Sequence, residues 1–293
     1  MYAITGAFGQ TGLALSQALL DAGHAFRMIV RRDDTQAEKW RRRGAEVVIA
    51  DIGNPNELAQ AFQNVEAAYL MNPPAYFTPD LHGQARHVHA SLLEAAHFAK
   101  VPYLVALSSV GAQHDAGTGN ILTTHNFEQQ LQNYSGNLTI LRAANFMENW
   151  AWSMQSVKEN RVLPSMFRPI GKSLPMVSAL DIGHCAAKLL SENSMHRRVV
   201  ELHGPKDYSP LEASQTLSEI LGHHIQAVEY VDTDWANTML SKGFPQATVD
   251  VFIEMFAGFN SGLISFEGNH ETIRGEVTLH EAMSAMLKHE PKS

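Results

Sequence analysis

Cysteine is nearly missing from this chain: Cys185 stands alone among 293 residues, so no disulfide can form within it. That excludes the small disulfide-stapled scaffolds and fits a reducing compartment. Apolar runs of membrane-spanning length are also missing, and the first residues already read as a strand, so neither a span nor a signal peptide is expected. Nor is there an excess of positive charge. Lysine and arginine total 22 against 30 aspartates and glutamates, a net charge of −8, which argues against a surface that tracks nucleic-acid phosphates. The expectation is a cytoplasmic protein with no nucleic-acid and no membrane partner. With 45% hydrophobic and 18% charged residues, the chain has ample material for one large core and a small lobe.

The densest information lies in the first dozen residues. A short apolar strand runs into Gly6, Gly9 and Gly12, spaced G-x-x-G-x-x-G, and Leu13 to Leu20 then reads as a helix with an Ala/Leu face. Such a turn leaves backbone N–H groups pointing outward at a helix N-terminus, where the macrodipole favours an anion. Gly6 permits the tight turn, Gly9 the approach of a pyrophosphate, and Gly12 close packing of helix on strand. Gly6, Ala7, Phe8, Gly9, Gln10, Thr11 and Gly12 are therefore the expected phosphate cradle of a dinucleotide.

A second strand, 26–30, ends in Arg31 and Arg32. Folds that prefer NAD place an acid about 20 residues past the glycines to grip the ribose hydroxyls. Two arginines there suit the 2′-phosphate of NADP(H) instead. Asp33 and Asp34 follow at once and leave a ribose contact open. Lys39, Arg41, Arg42 and Arg43 read as a solvated helix face.

Strand signals at 2–5, 26–30, 46–50, 67–71, 103–107 and 138–142 alternate with helical stretches at 11–22, 34–43, 55–63, 80–99 and 124–134. That alternation predicts an α/β protein with a Rossmann-type, doubly wound parallel sheet. Asp51 and Ile52 follow the third strand, placed to meet an adenine. Met71, Asn72 and Pro73 end the fourth, where prolines turn the chain out at the carboxyl edge of the sheet. Beyond Trp150 the alternation weakens, and 162–177, with Pro164, Pro169 and Pro175, reads as irregular. A helix at 181–192 and a strand at 199–203 follow. Ser209-Pro210-Leu211-Glu212 opens a helix with a capping box, and 225–231 reads as a strand. Helices at 233–242, 246–259 and 278–288 end the chain, the last opened by Thr278 and Glu281. The division expected is a dinucleotide-binding core over 1–150 and a smaller mixed α/β substrate lobe over 151–293, with some of its strands and helices completing the core.

Thr5 to Gly12, Val30-Arg31, Ala50-Asp51, Leu107 to Gly111, Thr139 to Asn149 and Asp181-Ile182-Gly183 together make the chain similar to the NmrA-like, or atypical short-chain dehydrogenase, family. The likeness runs from Met1 to about His289. It is nearest in pattern to the bacterial quinone and triphenylmethane-dye reductases, including the Lys242-Gly243-Phe244-Pro245 turn. The resemblance implies an NADP(H)-binding core with a small C-terminal substrate lobe. It also implies mixed activities: reductases of quinones, dyes or plant phenolics, and dinucleotide sensors that act on a partner protein.

Ordinary short-chain dehydrogenases use Tyr-x-x-x-Lys, and no lysine here has a tyrosine four positions before it. His125 occupies the place where the family commonly carries that lysine or a histidine. An imidazole there is the candidate catalytic group, able to hydrogen-bond the nicotinamide ribose or relay a proton. The missing tyrosine bears on the substrate. An aliphatic ketone yields a strongly basic alkoxide and needs a positioned acid, whereas a quinone yields a phenolate whose conjugate acid has a pKa of about 10. Hydride transfer to a quinone or similar flat acceptor therefore needs mainly proximity and orientation. Ser108 is expected at the nicotinamide, and Tyr76, Ser109, Asn145 and Phe146 at the substrate. Trp150, Trp152, Met154, Met239, Phe244, Phe252, Met255 and Phe256 either line a flat apolar pocket or pack a core. His82, His87, His89 and His97 share one helix but not one face, so no metal is expected. The reading is an NADPH-dependent reductase of a small conjugated acceptor. The alternative is a non-catalytic NADP(H) sensor, and a homodimer or regulatory partner is compatible with either.

Overall fold

The computed structural model describes residues 1–192 and 194–289. Its first half alternates strand and helix: β1 (Tyr2–Ile4), α1 (Gln10–Asp21), β2 (Phe26–Val30), α2 (Thr35–Arg42), β3 (Glu46–Ile49), α3 (Pro55–Ala61), β4 (Ala67–Leu70), α4 (Leu81–Phe98), β5 (Tyr103–Ser109), α5 (Leu122–Leu131) and β6 (Asn137–Ala143). The second half adds β7 (Asn145–Phe146), α6 (Met154–Asn160), β8 (Val162–Ser165), β9 (Leu174–Val177), α7 (Ala179–Glu192) and β10 (Arg198–His203). After these come β11 (Asp207–Tyr208), α8 (Pro210–Leu221), β12 (Gln226–Glu229), α9 (Asp232–Ser241), α10 (Gln246–Ser261), β13 (Glu271–Arg274) and α11 (Leu279–His289).

The main sheet has the order β13-β10-β6-β5-β4-β1-β2-β3, with every neighbouring pair parallel. Its inner strands, such as β1, β4 and β6, are buried on both faces, as a parallel sheet between helices requires. Tyr69 of β4 joins the core beneath α1 and α7, while Ala68 and Leu70 join the core beneath α3, α4 and α5. Helix starts follow local chemistry. Asp34 accepts from the backbone of Gln36 and Ala37, Asn54 caps α3 ahead of Pro55, and reciprocal Ser209–Glu212 and Thr278–Glu281 pairs open α8 and α11.

The two halves interleave. Chain beyond residue 151 returns to the main sheet twice, as β10 beside β6 and as β13 on the edge. α7 packs beside α1 in the main core, and much of the remaining chain surrounds a second core that includes Trp150, Met176, Leu217 and Phe259. Here the structure departs from the irregular segment expected over 162–177, because β8 pairs with β12 and β9 lies between β7 and β11. Pro164 and Pro175 are tolerated because these strands are short. β8 has β12 as its single partner, and Pro175 lies before the residues that β7 pairs. The strand at 271–274 lies outside the expected elements, since three of its four residues are polar and three are exposed on the sheet edge.

One of the α4 histidines carries a pH signature. His89 is 0% exposed, stacks on Phe127 with ring centroids 4.5 Å apart, and neither ring nitrogen has a hydrogen-bond partner. Burial holds its pKa down at about 4. Above the unfolded value near 6.5 both states are neutral; below it the unfolded chain takes a proton that the folded chain refuses, so stability falls with pH until about 4. Between pH 7.5 and 5 this one group should cost about 2 kcal/mol. Urea unfolding of wild type and His89→Leu at both pH values checks it. A stability difference between the two proteins that is the same at both pH values would refute the assignment.

Candidate active site

The carboxyl edge of the sheet holds a groove of about 550 Å³ where the strand order reverses between β1 and β4. Its walls are the 5–9 turn, Arg31 and Arg32 after β2, Asp51 and Ile52 after β3, and Met71 and Pro73 after β4. Thr5 ties the turn to β4: its hydroxyl donates to the Tyr69 carbonyl at 3.0 Å and accepts from the Met71 N–H at 3.1 Å.

The three glycines have different reasons. Gly6 has φ of +62°, and a Cβ there would lie 2.5 Å from Met71 Sδ. A Cβ on Gly12 would lie 2.3 Å from the Gly6 carbonyl oxygen, so it is closeness of helix to turn that demands glycine there. A Cβ on Gly9 would lie 3.2 Å from the Gly6 carbonyl oxygen, a tight contact short of a clash; Gly9 caps α1 without a side-chain hydrogen bond, and no acid lies in the first turn of that helix. The leading N–H groups of α1 thus remain available to an anion. Thr11 and Gly12 are buried beneath the groove, where Thr11 accepts from Tyr69 Oη at 3.2 Å, while Gln10 is exposed beside it.

The acids that left the ribose question open are already engaged. Asp33 pairs with Arg41 at 2.7 Å, and that guanidinium holds its carboxyl below the usual carboxylate range. Asp34 caps α2. Arg31 and Arg32 are exposed on the groove wall, and their guanidiniums make no ion pair or hydrogen bond among the described residues.

A second cavity, of about 240 Å³, lies between the sheet edge and the lobe. Tyr76, Ser109, Asn145 and Phe146 all line it, with Asn120 and Asn149 among its polar groups. Aromatic rings meeting edge to face build its walls: Tyr76 on Phe252 at 5.1 Å, Trp235 on Phe256 at 5.6 Å, and Phe167 on Phe256 at 5.0 Å. Burial pushes the Tyr76 hydroxyl up, despite a hydrogen bond with Asn120. Among the described residues no carboxylate lines this cavity. Met71 to Tyr76 joins the two spaces, its first residues on the groove and its last in the cavity. Asn72 stands in that segment with its side-chain carbonyl oxygen buried and unpartnered.

Other expected residues are placed elsewhere. Ser108 lines neither space, because its hydroxyl donates to Glu128 Oε1 at 2.5 Å. His125 is half-buried and also outside both linings; its Nδ1 donates to the Ala112 carbonyl at 2.8 Å. Met154 is core, whereas Trp150, Trp152, Met239, Phe244, Phe252, Met255 and Phe256 line the cavity. Cys185 is core as well, its thiol pushed up to about 12 by burial.

Sequence reasoning missed a buried ionic network. Arg142 of β6 grips Glu128 of α5 through two hydrogen bonds, of 2.9 and 2.7 Å, and reaches Glu267 from the chain's far end. Its signal was an arginine set in the apolar strand Leu138 to Ala143, since a charge buried there requires a partner.

The all-parallel sheet, the reversal of strand order between β1 and β4, and the glycine turn define a Rossmann-type α/β protein. The chain belongs to the NmrA-like family, which matches residues 2–271. It is 24% identical over 258 residues to the NAD(P)H azoreductase of Xenophilus azovorans, covering 88% of this chain and 86% of that one. Its fold resembles the NADPH-dependent quinone oxidoreductase of Escherichia coli complexed with NADPH, at TM-score 0.82, 23% identity and coverage of 98% and 100%. It equally resembles the Citrobacter sp. triphenylmethane reductase complexed with NADP(H), at TM-score 0.81, 20% identity and coverage of 98% and 100%.

Proposed function

We propose that this chain is an NADPH-dependent reductase of flat conjugated acceptors such as quinones. One observation carries the reading: an aromatic-walled cavity adjoins the dinucleotide groove through Met71 to Tyr76. The names of the similar proteins, an azoreductase, a quinone oxidoreductase and a dye reductase, support it. The groove fits the cofactor on this chain's own features: Gly6 and Gly12 at positions that a Cβ would block, uncapped N–H groups on α1, and two unpaired arginines. Gly6 to Gly9 would hold the pyrophosphate, Asp51 and Ile52 the adenine, and Arg31 and Arg32 the 2′-phosphate. When bound, NADPH supplies the hydride.

The chain's own contribution is position rather than strong acid. The rings around Tyr76 and Phe256 hold a planar molecule and exclude water, and Asn145 and Ser109 orient its polar edge. With its pKa raised, the Tyr76 hydroxyl is a weaker proton donor than a free phenol. An acceptor whose reduced anion leaves unprotonated suits such a site. His125 assists from outside the lining. An open cavity beside the groove weighs against the sensor reading, which needs that space closed.

NADPH absorbance followed against a quinone, an azo dye, a triphenylmethane dye and an aliphatic ketone tests the proposal, with NADH alongside. Turnover is expected with a conjugated acceptor and not with the ketone. In the same assay His125→Ala should be slower by roughly 10- to 100-fold, at or below the low end of general acid–base effects. Tight NADPH binding without turnover of any acceptor would return the weight to a sensor. Efficient ketone reduction would overturn the argument from product basicity.

A further inference from the structure

We infer that the acceptor cavity selects for anionic aromatic molecules, with Lys242 as the residue that recognises their negative group. The inference rests on the reductase reading and names the charge class of its substrate. Trp235, Thr238, Met239 and Lys242 all line the cavity, at the i, i+3, i+4, i+7 spacing that places them along one face of α9. Lys242 follows the last residue of that helix and is exposed, while Met239 and Phe244 on either side are buried. Lys242 is thus an exposed member of a mainly aromatic lining that also includes Ser109 and Asn145.

A lysine at a helix C-terminus is ordinary, because the macrodipole favours it there. Two further facts point to a ligand. The Lys242 ammonium has no ion-pair or hydrogen-bond partner among the described residues, whereas Lys206 pairs with Glu212 and Lys172 donates to the Phe259 and Asn260 carbonyls. It is also the one charged residue of the lining, among the described residues. The acids of α9 and α10, Asp232, Asp234, Asp250 and Glu254, all lie outside the lining, and Asp232 pairs with Arg168 at 2.7 Å. A cation facing an apolar space with no carboxylate stabilises a sulfonate or carboxylate on an otherwise flat substrate and repels a cationic dye.

The test compares wild type, Lys242→Gln and Lys242→Arg with menadione, which is neutral, and a naphthoquinone sulfonate. The ratio of kcat/KM for the sulfonate over menadione should fall about tenfold in Lys242→Gln, through KM, as befits one charge-assisted contact at a half-solvated site. Lys242→Arg should restore it, and added salt should shrink the wild-type ratio. Alongside, quenching of tryptophan fluorescence reads the binding of naphthalenesulfonate against naphthol in the presence of NADP, without turnover. An unchanged ratio in Lys242→Gln, with both quinones still reduced, overturns the assignment and leaves the reductase reading standing. Loss of naphthalenesulfonate binding in Lys242→Gln, in a protein that reduces neither quinone, upholds the charge selection and removes the reductase reading.

Discussion

Replacing Arg31 and Arg32 together by alanine weakens NADPH binding by about 3 kcal/mol, roughly a hundredfold in Kd, and leaves NADH binding nearly where it was. Each charge-assisted hydrogen bond to a phosphate contributes about 1.5–3 kcal/mol, and solvent screening at an exposed wall takes the sum of two toward the lower end. The expected asymmetry comes from the neighbours. Asp33 pairs with Arg41 and Asp34 accepts the first N–H groups of α2, so both acids beside the two arginines already have partners. Both guanidiniums stay unpaired on the groove wall. Calorimetric titration of both cofactors into wild type and the double variant measures the effect, and raising salt should erode the wild-type preference. Equal losses for NADPH and NADH would mean that the arginines merely shape the wall.

Gly183→Ala should destabilise the fold by about 3 kcal/mol, although alanine in a helix interior ordinarily gains about 1 kcal/mol over glycine. The sign is what makes the experiment informative. Gly183 lies inside α7, where propensity alone predicts stabilisation. Packing opposes it: the added Cβ would lie 2.4 Å from Ala14 Cβ and 2.5 Å from the Leu15 nitrogen, and a backbone atom of α1 cannot swing aside as a flexible side chain can. Relief requires the two helices to separate, which opens the core around Leu15, Ile182 and Ala186. Because α1 carries the turn that forms the groove, NADPH affinity should fall along with stability. Guanidinium unfolding decides between the two effects, and a more stable alanine variant would show that the helices have room.

Much of the site was readable because its parts are local in sequence. Gly6, Gly9 and Gly12 act within one turn and the helix that follows, and Arg31 and Arg32 sit at the end of one strand. Tyr76, Ser109, Asn145 and Phe146, named apart in the chain, line one cavity because each lies at or near the carboxyl edge of the sheet. Short edge strands were harder. β8, β9 and β13 are too brief or too polar for periodicity to mark, and pairing across the fold rather than composition makes them strands. Ser108 was named for the nicotinamide, but its hydroxyl turns to Glu128, an acid 20 residues away that no spacing rule connects to it.

The amino-acid order by itself determined the parallel sheet, the glycine turn, the adjacent Arg31 and Arg32 and the missing Tyr-x-x-x-Lys, since these depend on residue type over a few neighbouring positions. Tertiary structure alone decided what each charge is used for. Asp33 pairs with Arg41, and Arg142 meets Glu128 and Glu267, partners 14 and 125 residues away. Lys242 is left facing an aromatic cavity with no acid beside it. A charge acts through what surrounds it, and burial and pairing between distant segments follow from packing that no local pattern contains.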